Sequence, residues 1–404
     1  MFTAAILSLA FQPSKVAIVP KGKGYQLTVN GKPFFVKGAG APVERFAGLS
    51  QYGANSVRTW GVDEKTGPLL DEAQKQGLKV CVGFWMRKED GFSYRKPEDL
   101  KAQMEDFRKW VKTYKNHPAL LMWAVGNEVE LGGEWPECFI QSEELAKVVK
   151  SEDTNHPVIS VVADMWPEKQ AMIEKYWKSL DAIGVNSYQG LPTLSKRMEF
   201  WKKPYFITEW QFSLPDKDEK NPWAGFVEPS SDAKNASVIK NYKEVILKQP
   251  GRVLGSYFFY WSKSKTGIAS LHAPFLSNEK WQPMVRTMAQ FWGGKVPMNR
   301  PPSVRIVEPK EVFKVKPGQE FDLDVVASDP DNEALVTQFE IIPNDPKKRF
   351  VGDFEKDLGI VGRGDLKGKT RIKAPTEPGL YRVAVYTYDP RSAASVDSRS
   401  FLVE

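Results

Sequence analysis

The sequence predicts an α/β protein in which a (β/α)₈ barrel is followed by a small all-β, immunoglobulin-like sandwich. Three observations predict this fold. Eight short apolar runs alternate with longer amphipathic segments over residues 25–296, close to the usual barrel length of about 250 residues. A Pro-rich linker follows at 297–302, and residues 303–404 carry short alternating runs separated by turn residues. Residues 1–24 form a lead-in to the barrel domain.

The barrel is predicted from its apolar runs, because buried parallel strands have near-continuous apolar sequences. Amphipathic segments at 67–76, 97–114, 142–149 and 233–247 predict helices between the strands. A doubly wound open sheet is the competing layout, but no Gly-rich phosphate-binding loop follows the first strand. The eight predicted strands are 34–37, 56–60, 79–85, 120–125, 158–162, 182–186, 205–208 and 253–260.

The C-terminal region is predicted to be all-β. Runs at 321–327, 336–342, 370–373 and 381–388 alternate apolar and polar residues between turn signals. About 100 residues of this pattern are typical of an immunoglobulin-like sandwich, which we expect to act as a spacer or accessory module. The acidic loop at 329–333 is a candidate calcium site, and a solvated turn is the simpler interpretation.

Charge and cysteine content exclude several classes of protein. The net charge of +7 comes from 57 basic and 50 acidic residues that are interspersed, whereas nucleic-acid binding requires a basic stripe or patch. Cys81 and Cys138 have neither CxxC spacing nor His partners at metal-binding spacing. We therefore expect no metal, no cofactor and no nucleic-acid partner.

The apolar segment 2–11 resembles a short signal-peptide core, although no Lys or Arg precedes it. It predicts a secreted or periplasmic protein, and an ordinary N-terminal strand in a cytoplasmic protein is the alternative. A membrane-spanning helix needs about 18 or more apolar residues, and no such run occurs elsewhere in the chain.

Two glutamates occur where apolar runs end. Glu128 ends the run that begins at residue 120, and Glu209 follows the run that begins at residue 204. Functional groups of a (β/α)₈ barrel come from the carboxyl ends of its strands. The other candidates at strand ends are Arg58, Trp60, Trp85, Asn127, Tyr188, Trp210 and Trp261.

This set of side chains predicts a sugar-cleaving site. Cleavage of a glycosidic bond needs one carboxylic acid to protonate the leaving oxygen and one carboxylate to meet the anomeric carbon, about 5–5.5 Å apart in a retaining enzyme. Indole and phenol rings offer flat apolar faces to sugar rings. An oligosaccharide or polysaccharide is therefore the expected partner.

The motifs resemble those of the clan A retaining glycoside hydrolases, and are most similar to the catalytic barrel of glycoside hydrolase family 2. Residues 30–38 also resemble fungal β-1,3-glucanosyltransferases. The resemblance covers roughly residues 25–295. It is carried by Gly126-Asn127-Glu128, Ile207-Thr208-Glu209-Trp210, Arg58, Tyr188 and Trp261, in the family's order along the chain.

The resemblance implies a role for each matching residue. Glu128 would be the general acid and base, and Glu209 the nucleophile. Asn127 would bind the sugar 2-hydroxyl, Arg58 and Tyr188 would tune Glu209, and Trp261 would form the floor of the −1 subsite.

Several alternatives remain open. Glu130 lies close enough to Glu128 in sequence to be the acid, His272 follows the last strand and is a further candidate for the site, and Asn186 is interpreted as packing. The same two glutamates would also serve a transglycosylase that passes the sugar to another sugar. A non-catalytic carbohydrate-binding protein is a third possibility.

Overall fold

The structure is a computed structural model of the 404-residue chain. It describes residues 13–86, 91–212, 222–223, 227–264, 270–344 and 359–404. The predicted signal segment at 2–11 lies outside the described residues.

A short antiparallel sheet precedes the barrel. It consists of β1 (Val16–Lys21), β2 (Gly24–Val29) and β3 (Lys32–Pro33). Val16 and Leu27 are buried in one cluster with residues of the barrel strands, and the Val16 amide donates to the Asn155 carbonyl at 2.8 Å. The sheet therefore covers the end of the barrel at which the strands begin, and the predicted boundary at residue 24 falls inside this hairpin.

Eight parallel strands close into a barrel, as predicted. Each strand pairs with the next along the chain, and the last pairs with the first. This closure excludes the open doubly wound sheet. The strands are β4 (Val36–Gly40), β5 (Ser56–Arg58), β6 (Lys79–Phe84), β7 (Leu120–Asn127), β8 (Val158–Ala163), β9 (Ala182–Asn186), β10 (Tyr205–Trp210) and β11 (Val253–Phe258).

Helices connect the barrel strands and surround them. The helix predicted at 97–114 has the same bounds in the structure. Its first turn contains Pro97, Glu98 and Asp99. A helix N-terminus tolerates the missing N–H of proline and favours acidic side chains. The helices are α1 (Phe46–Gln51), α2 (Thr66–Lys75), α3 (Pro97–Tyr114), α4 (Glu137–Glu152), α5 (Pro167–Tyr176), α6 (Leu194–Arg197), α7 (Ser231–Asn241), which continues as a π-helical turn (Tyr242–Ile246), and α8 (Pro283–Trp292).

Within residues 303–404, the strands that the structure describes form two β-sheets, which we call the C-terminal sheets. One has the order β12-β14-β17 and the other β13-β19-β18-β15-β16, and their apolar faces share one core. Within residues 303–344 and 359–404 the regular structure consists of strands, as predicted, and the immunoglobulin-like character of the region stays a prediction. The strands are β12 (Ser303–Glu308), β13 (Phe313–Val315), β14 (Glu320–Ser328), β15 (Val336–Pro343), β16 (Gly362–Asp365), β17 (Thr370–Lys373), β18 (Gly379–Tyr388) and β19 (Ala394–Val403).

The C-terminal sheets contact the barrel through β18 and β19. Leu276 is buried among apolar side chains of both strands. Trp281 donates its amide to the Ser392 carbonyl at 2.9 Å, and its carbonyl accepts from Ala394 at 2.8 Å. The two parts of the chain are therefore joined by apolar packing and backbone hydrogen bonds.

The candidate calcium loop carries its own counterions. Carboxylates of Asp329, Asp331 and Glu333 lie within 4.8 Å of one another. Arg391 pairs with both Asp331 and Glu333 at 2.7 Å, and Arg300 pairs with Asp331 at 2.7 Å. This pairing favours the interpretation as a turn.

Both cysteines are free and buried. Burial raises the pKa of the Cys81 and Cys138 thiols to about 12, so neither is a thiolate near neutral pH. Among the described helices, none combines the length and the apolar character needed to cross a membrane.

Candidate active site

Six of the nine predicted site residues lie together at the carboxyl ends of the barrel strands. Hydrogen bonds connect them directly or through Asn186. They come from strands that are distant in sequence but adjacent or facing in the barrel. The prediction found them because it took the residues at the carboxyl ends of the strands as candidates. These residues are Arg58, Trp60, Asn127, Glu128, Tyr188 and Glu209.

Both carboxylate oxygens of Glu209 are held by donors. Oε1 accepts from Arg58 Nη1 at 2.9 Å and from Trp60 Nε1 at 2.7 Å. Oε2 accepts from the Tyr188 hydroxyl at 3.1 Å. Glu209 is only 7% exposed, so these donors replace water around a buried carboxylate and fix its orientation.

Burial sets the proton affinity of this group. It raises the pKa of Glu209 above its ordinary value, the Arg58 guanidinium opposes the rise, and the nearby charge of Glu128 adds to it. Burial also raises the pKa of Tyr188 well above 10, and the Glu209 charge reinforces that rise. Tyr188 therefore stays protonated and donates to Glu209.

Glu128 leaves the strand through an unusual backbone conformation. Its φ is +50°, close behind Gly126 at +81°, and the left-handed region is uncommon for a residue with a side chain. Its amide donates to the Val161 carbonyl at 2.8 Å, and its Oε1 accepts from Asn186 Nδ2 at 3.0 Å. The turn takes Glu128 out of the strand's alternation and holds it beside Asn186.

Asn186 is a site residue that the sequence interpretation assigned to packing. Its Nδ2 also donates to Asn127 Oδ1 at 3.1 Å, and its Oδ1 accepts from Thr208 Oγ1 at 2.8 Å. Arg58 Nη2 donates to the same Asn127 oxygen at 2.6 Å. With that oxygen occupied twice, the Asn127 NH₂ is the group that can face a sugar hydroxyl. The signal for Asn186 was its place as the last residue of a barrel strand.

Glu130, the rival for the acid, has a structural role. It is buried, and its Oε1 accepts from Lys169 Nζ at 2.6 Å and from the Ala163 amide at 2.8 Å. This ion pair joins the loop after β7 to α5 and to the end of β8. Of the two glutamates, Glu128 therefore remains the candidate for the acid.

Trp261 does not form the floor of a sugar subsite, and that prediction is wrong. Its side chain is 1% exposed and packs against Trp292, with ring centroids 5.0 Å apart, and against Phe258 and Phe275. The reason is that β11 ends at Phe258, two residues before the predicted end. Phe259 takes the position near the site, with its ring centroid 5.6 Å from Trp60 and 6.3 Å from Tyr188.

The other two predicted tryptophans also lie outside the hydrogen-bonded group. Trp210 is fully buried and stacks on Tyr242 with ring centroids 5.6 Å apart, because alternation along β10 sends it away from the face that carries Glu209. Trp85 follows β6, at the rim of the barrel, and is 43% exposed.

Trp60 needs a glycine beneath it. A Cβ atom on Gly40, at the end of β4, would lie 2.3 Å from Cη2 of the Trp60 ring, which is closer than any real contact. The absence of a side chain at Gly40 thus lets the indole reach Glu209.

His272 lies beside the site, as the open alternative allowed. Its ring stacks on Phe212 with centroids 4.9 Å apart and meets the Tyr188 ring edge-on at 5.1 Å. Its Nδ1 is 3.0 Å from Gln211 Oε1. Burial, with help from the Lys234 charge, lowers the pKa of His272 to about 3, so the imidazole is neutral at ordinary pH.

The hydrogen bond from Trp60 to Glu209 predicts how activity depends on pH. Because it lowers the pKa of Glu209, Trp60→Phe raises that pKa further. If Glu209 is the nucleophile that the family resemblance implies, it must be ionised to attack. Activity is then lost as the pH falls through its pKa, and the acidic limb of kcat/KM in the variant moves to higher pH. We also expect a loss of roughly 10-fold or more in kcat/KM, the typical effect of a hydrogen bond to a charged group.

The matched control is Trp166→Phe, since Trp166 is half exposed and contacts Arg197. It should keep the wild-type acidic limb. A Trp60→Phe enzyme with an unshifted limb would refute this role for the indole.

Comparison with known proteins identifies the family of the barrel. Residues 43–261 match the family described as "Glycosyl hydrolases family 2, TIM barrel domain". That match spans more than half of the chain, and the chain belongs to glycosyl hydrolase family 2.

Relatives of the chain include a β-glucuronidase of Mus musculus, which is 24% identical over 285 residues, 62% of this chain and 42% of the mouse protein. Among solved structures, a β-D-glucuronidase of Dictyoglomus thermophilum superposes with a TM-score of 0.54 at 20% identity, covering 70% of this chain and 54% of the other. A β-galacturonidase of Eisenbergiella tayi bound to galacturonate gives 0.53 at 16% identity, covering 70% and 54%. These structures share the fold, and the chain spans about half or less of each relative's length.

Proposed function

We propose that the protein hydrolyses β-linked glycosides with retention of anomeric configuration, through a covalent glycosyl-enzyme on Glu209. The observation that carries the proposal is the pair of glutamates with different surroundings. Glu209 is buried and held at both oxygens by Arg58, Trp60 and Tyr188, whereas Glu128 is less buried and is held by Asn186. An oriented carboxylate suits a nucleophile, and a group open to the mouth suits an acid that must reach a leaving oxygen.

The first half-reaction forms the ester. A Glu209 carboxylate oxygen attacks the anomeric carbon while the bond from that carbon to the leaving oxygen breaks, and the leaving oxygen takes the Glu128 proton. The negative charge on Glu209 is neutralised as the bond forms. Arg58, Trp60 and Tyr188 already hold the carboxylate in position, so these donors do not have to move. The Asn127 NH₂ is placed to hold a hydroxyl of the bound sugar, consistent with the role that the family resemblance implies.

The second half-reaction restores the enzyme. Glu128, now a carboxylate, removes a proton from water as the water oxygen attacks the anomeric carbon, and Glu209 leaves as a carboxylate. Two displacements at one carbon give net retention. We favour water over a sugar acceptor because the relatives are named as glucuronidases and galacturonidases.

The test is turnover of a panel of 4-nitrophenyl glycosides in both anomeric forms. The panel begins with glucuronide and galacturonide, the sugars in the relatives' names, and includes glucoside, galactoside and mannoside. We expect a β-glycoside to be cleaved and proton NMR to show the β-anomer of the free sugar first. Release of the α-anomer first would contradict retention, and glycan binding with no turnover of any substrate would indicate a binding protein.

A further inference from the structure

A buried charge cluster joins the C-terminal sheets to the barrel. Arg382 on β18 is 2% exposed, and its Nη1 donates to Glu228 Oε2 at 2.8 Å. The other oxygen of Glu228 accepts from Lys234 Nζ on α7 and from the Ser270 hydroxyl. Although burial alone would raise the pKa of Glu228, the Lys234 and Arg382 charges hold it below its ordinary value. We call Glu228, Lys234, Ser270 and Arg382 the Glu228 cluster.

A second contact from the C-terminal sheets leads to the segment 270–273, which begins at Ser270 of the Glu228 cluster. The Val396 amide on β19 donates to Ser231 Oγ at 2.8 Å, and that hydroxyl donates to Gln282 Oε1 at 2.7 Å. Gln282 Nε2 donates in turn to the Ala273 carbonyl and to the Ser270 carbonyl. Lys234 Nζ also donates to the Ser270 carbonyl at 3.0 Å. Both contacts therefore fix residues 270–273.

Residues 270–273 carry the imidazole that lies against the active site. His272 has a φ of +50°, and its ring lies between Phe212 and Tyr188. The Lys234 ammonium is 5.6 Å from the centroid of the Phe212 ring, which adds a second link from the cluster to His272. Tyr188 then donates to Glu209. A continuous series of contacts thus runs from Arg382 to the nucleophile.

We propose that Arg382 is a positioning residue for the active site: by pairing with Glu228 it fixes residues 270–273, so that the His272 ring holds Tyr188 where its hydroxyl donates to Glu209. This inference rests on the proposed function and deepens it. The C-terminal sheets then complete the catalytic site, which goes beyond the spacer role expected from sequence.

The central variant is Arg382→Met, which removes the charge and keeps an unbranched side chain. We expect kcat on the preferred aryl glycoside to fall about 10-fold, as loss of one hydrogen bond to a charged group would cause, with KM nearly unchanged. Asn299→Ala is the control, because it removes a different buried hydrogen bond at this junction, from Asn299 to Asp389 at 2.8 Å. The control should keep the wild-type kcat.

Coupling to His272 separates positioning from simple loss of stability. In a His272→Ala background, Arg382→Met should cost less than about twofold further in kcat, because residues in one pathway are not additive. Multiplied losses, or a wild-type kcat in Arg382→Met alongside a lower Tm, would overturn the proposal. If Arg382→Met does not fold, Glu228→Gln replaces it as the test, because it weakens the same ion pair, and an unchanged kcat in that variant would overturn the proposal equally.

A crystal structure of Arg382→Met gives a readout without activity. The proposal expects the His272 ring to shift and the Tyr188–Glu209 hydrogen bond, 3.1 Å in the wild type, to be broken or lengthened. If the wild type cleaves no glycoside, the proposed function fails, and the position of these two rings still decides this inference. Unmoved rings would refute it.

Discussion

Replacement of Glu209 by Gln is expected to abolish turnover, with a loss in kcat on the order of 10⁴-fold or more, the scale seen when a nucleophile is removed. Gln keeps the shape of Glu209 and can still accept from Arg58 Nη1 and Trp60 Nε1. It lacks the anionic oxygen that forms the ester with the anomeric carbon. The measurement is the initial rate on the preferred β-glycoside.

Glu144→Gln is the matched control, because Glu144 is a partly exposed residue of α4 paired with Lys147. It should keep wild-type activity. Turnover by Glu209→Gln above a few per cent of the wild type would show that another group is the nucleophile. Circular dichroism should show both variants folded.

Replacement of Glu128 by Ala is expected to cost about 10²–10⁴-fold in kcat/KM on substrates with poor leaving groups, the typical contribution of a general acid. A dinitrophenyl leaving group needs no proton, so the first step should remain fast and the glycosyl-enzyme should accumulate. Azide can then attack in the space that the side chain vacates, and it needs no general base. We expect azide to restore turnover and to give a β-glycosyl azide.

Glu130→Ala is the informative control for this experiment. It removes the partner of Lys169 and should lower Tm, since Lys169 loses its buried counterion. Azide should not accelerate it. Azide rescue of Glu130→Ala, with none for Glu128→Ala, would reverse the assignment of the acid.

The barrel and much of its site could be predicted from the sequence because both follow from local patterns. An apolar run gives a strand, and parallel strands bring their carboxyl ends to one face. That rule alone brings Arg58, Asn127, Glu128 and Glu209 together, and the structure joins them through hydrogen bonds. Family resemblance supplied the roles, which the rule does not give.

The choice among aromatic residues could not be made this way. Functional side chains of a barrel lie just past the ends of its strands, so an error of one or two residues in a predicted strand end selects a different aromatic residue. Ending the last strand at Tyr260 selected Trp261, whereas the strand ends at Phe258 and presents Phe259.

The Glu228 cluster was also beyond sequence reasoning. Glu228 and Arg382 are 154 positions apart, and no local pattern connects them. The strand β19 was missed for a related reason, because polar residues at 397–400 interrupt its apolar pattern. Asp397, Ser398 and Ser400 are buried, and Asp397 accepts from the Ile306 amide at 2.8 Å. Tertiary hydrogen bonding permits a polar strand that composition alone would assign to a loop.

The assignment of Glu209 as the nucleophile is tested most directly by trapping the glycosyl-enzyme and identifying the labelled peptide. The reagent is a 2-deoxy-2-fluoro β-glycoside of the accepted sugar with a dinitrophenyl leaving group. The fluorine slows both steps, and the leaving group keeps the first step fast enough for the glycosyl-enzyme to be trapped. After proteolysis, mass spectrometry should find one sugar adduct, on Glu209. An adduct on Glu128 would contradict the assignment of Glu209 as the nucleophile. Continued hydrolysis of the parent glycoside with no adduct on any residue would contradict the covalent mechanism.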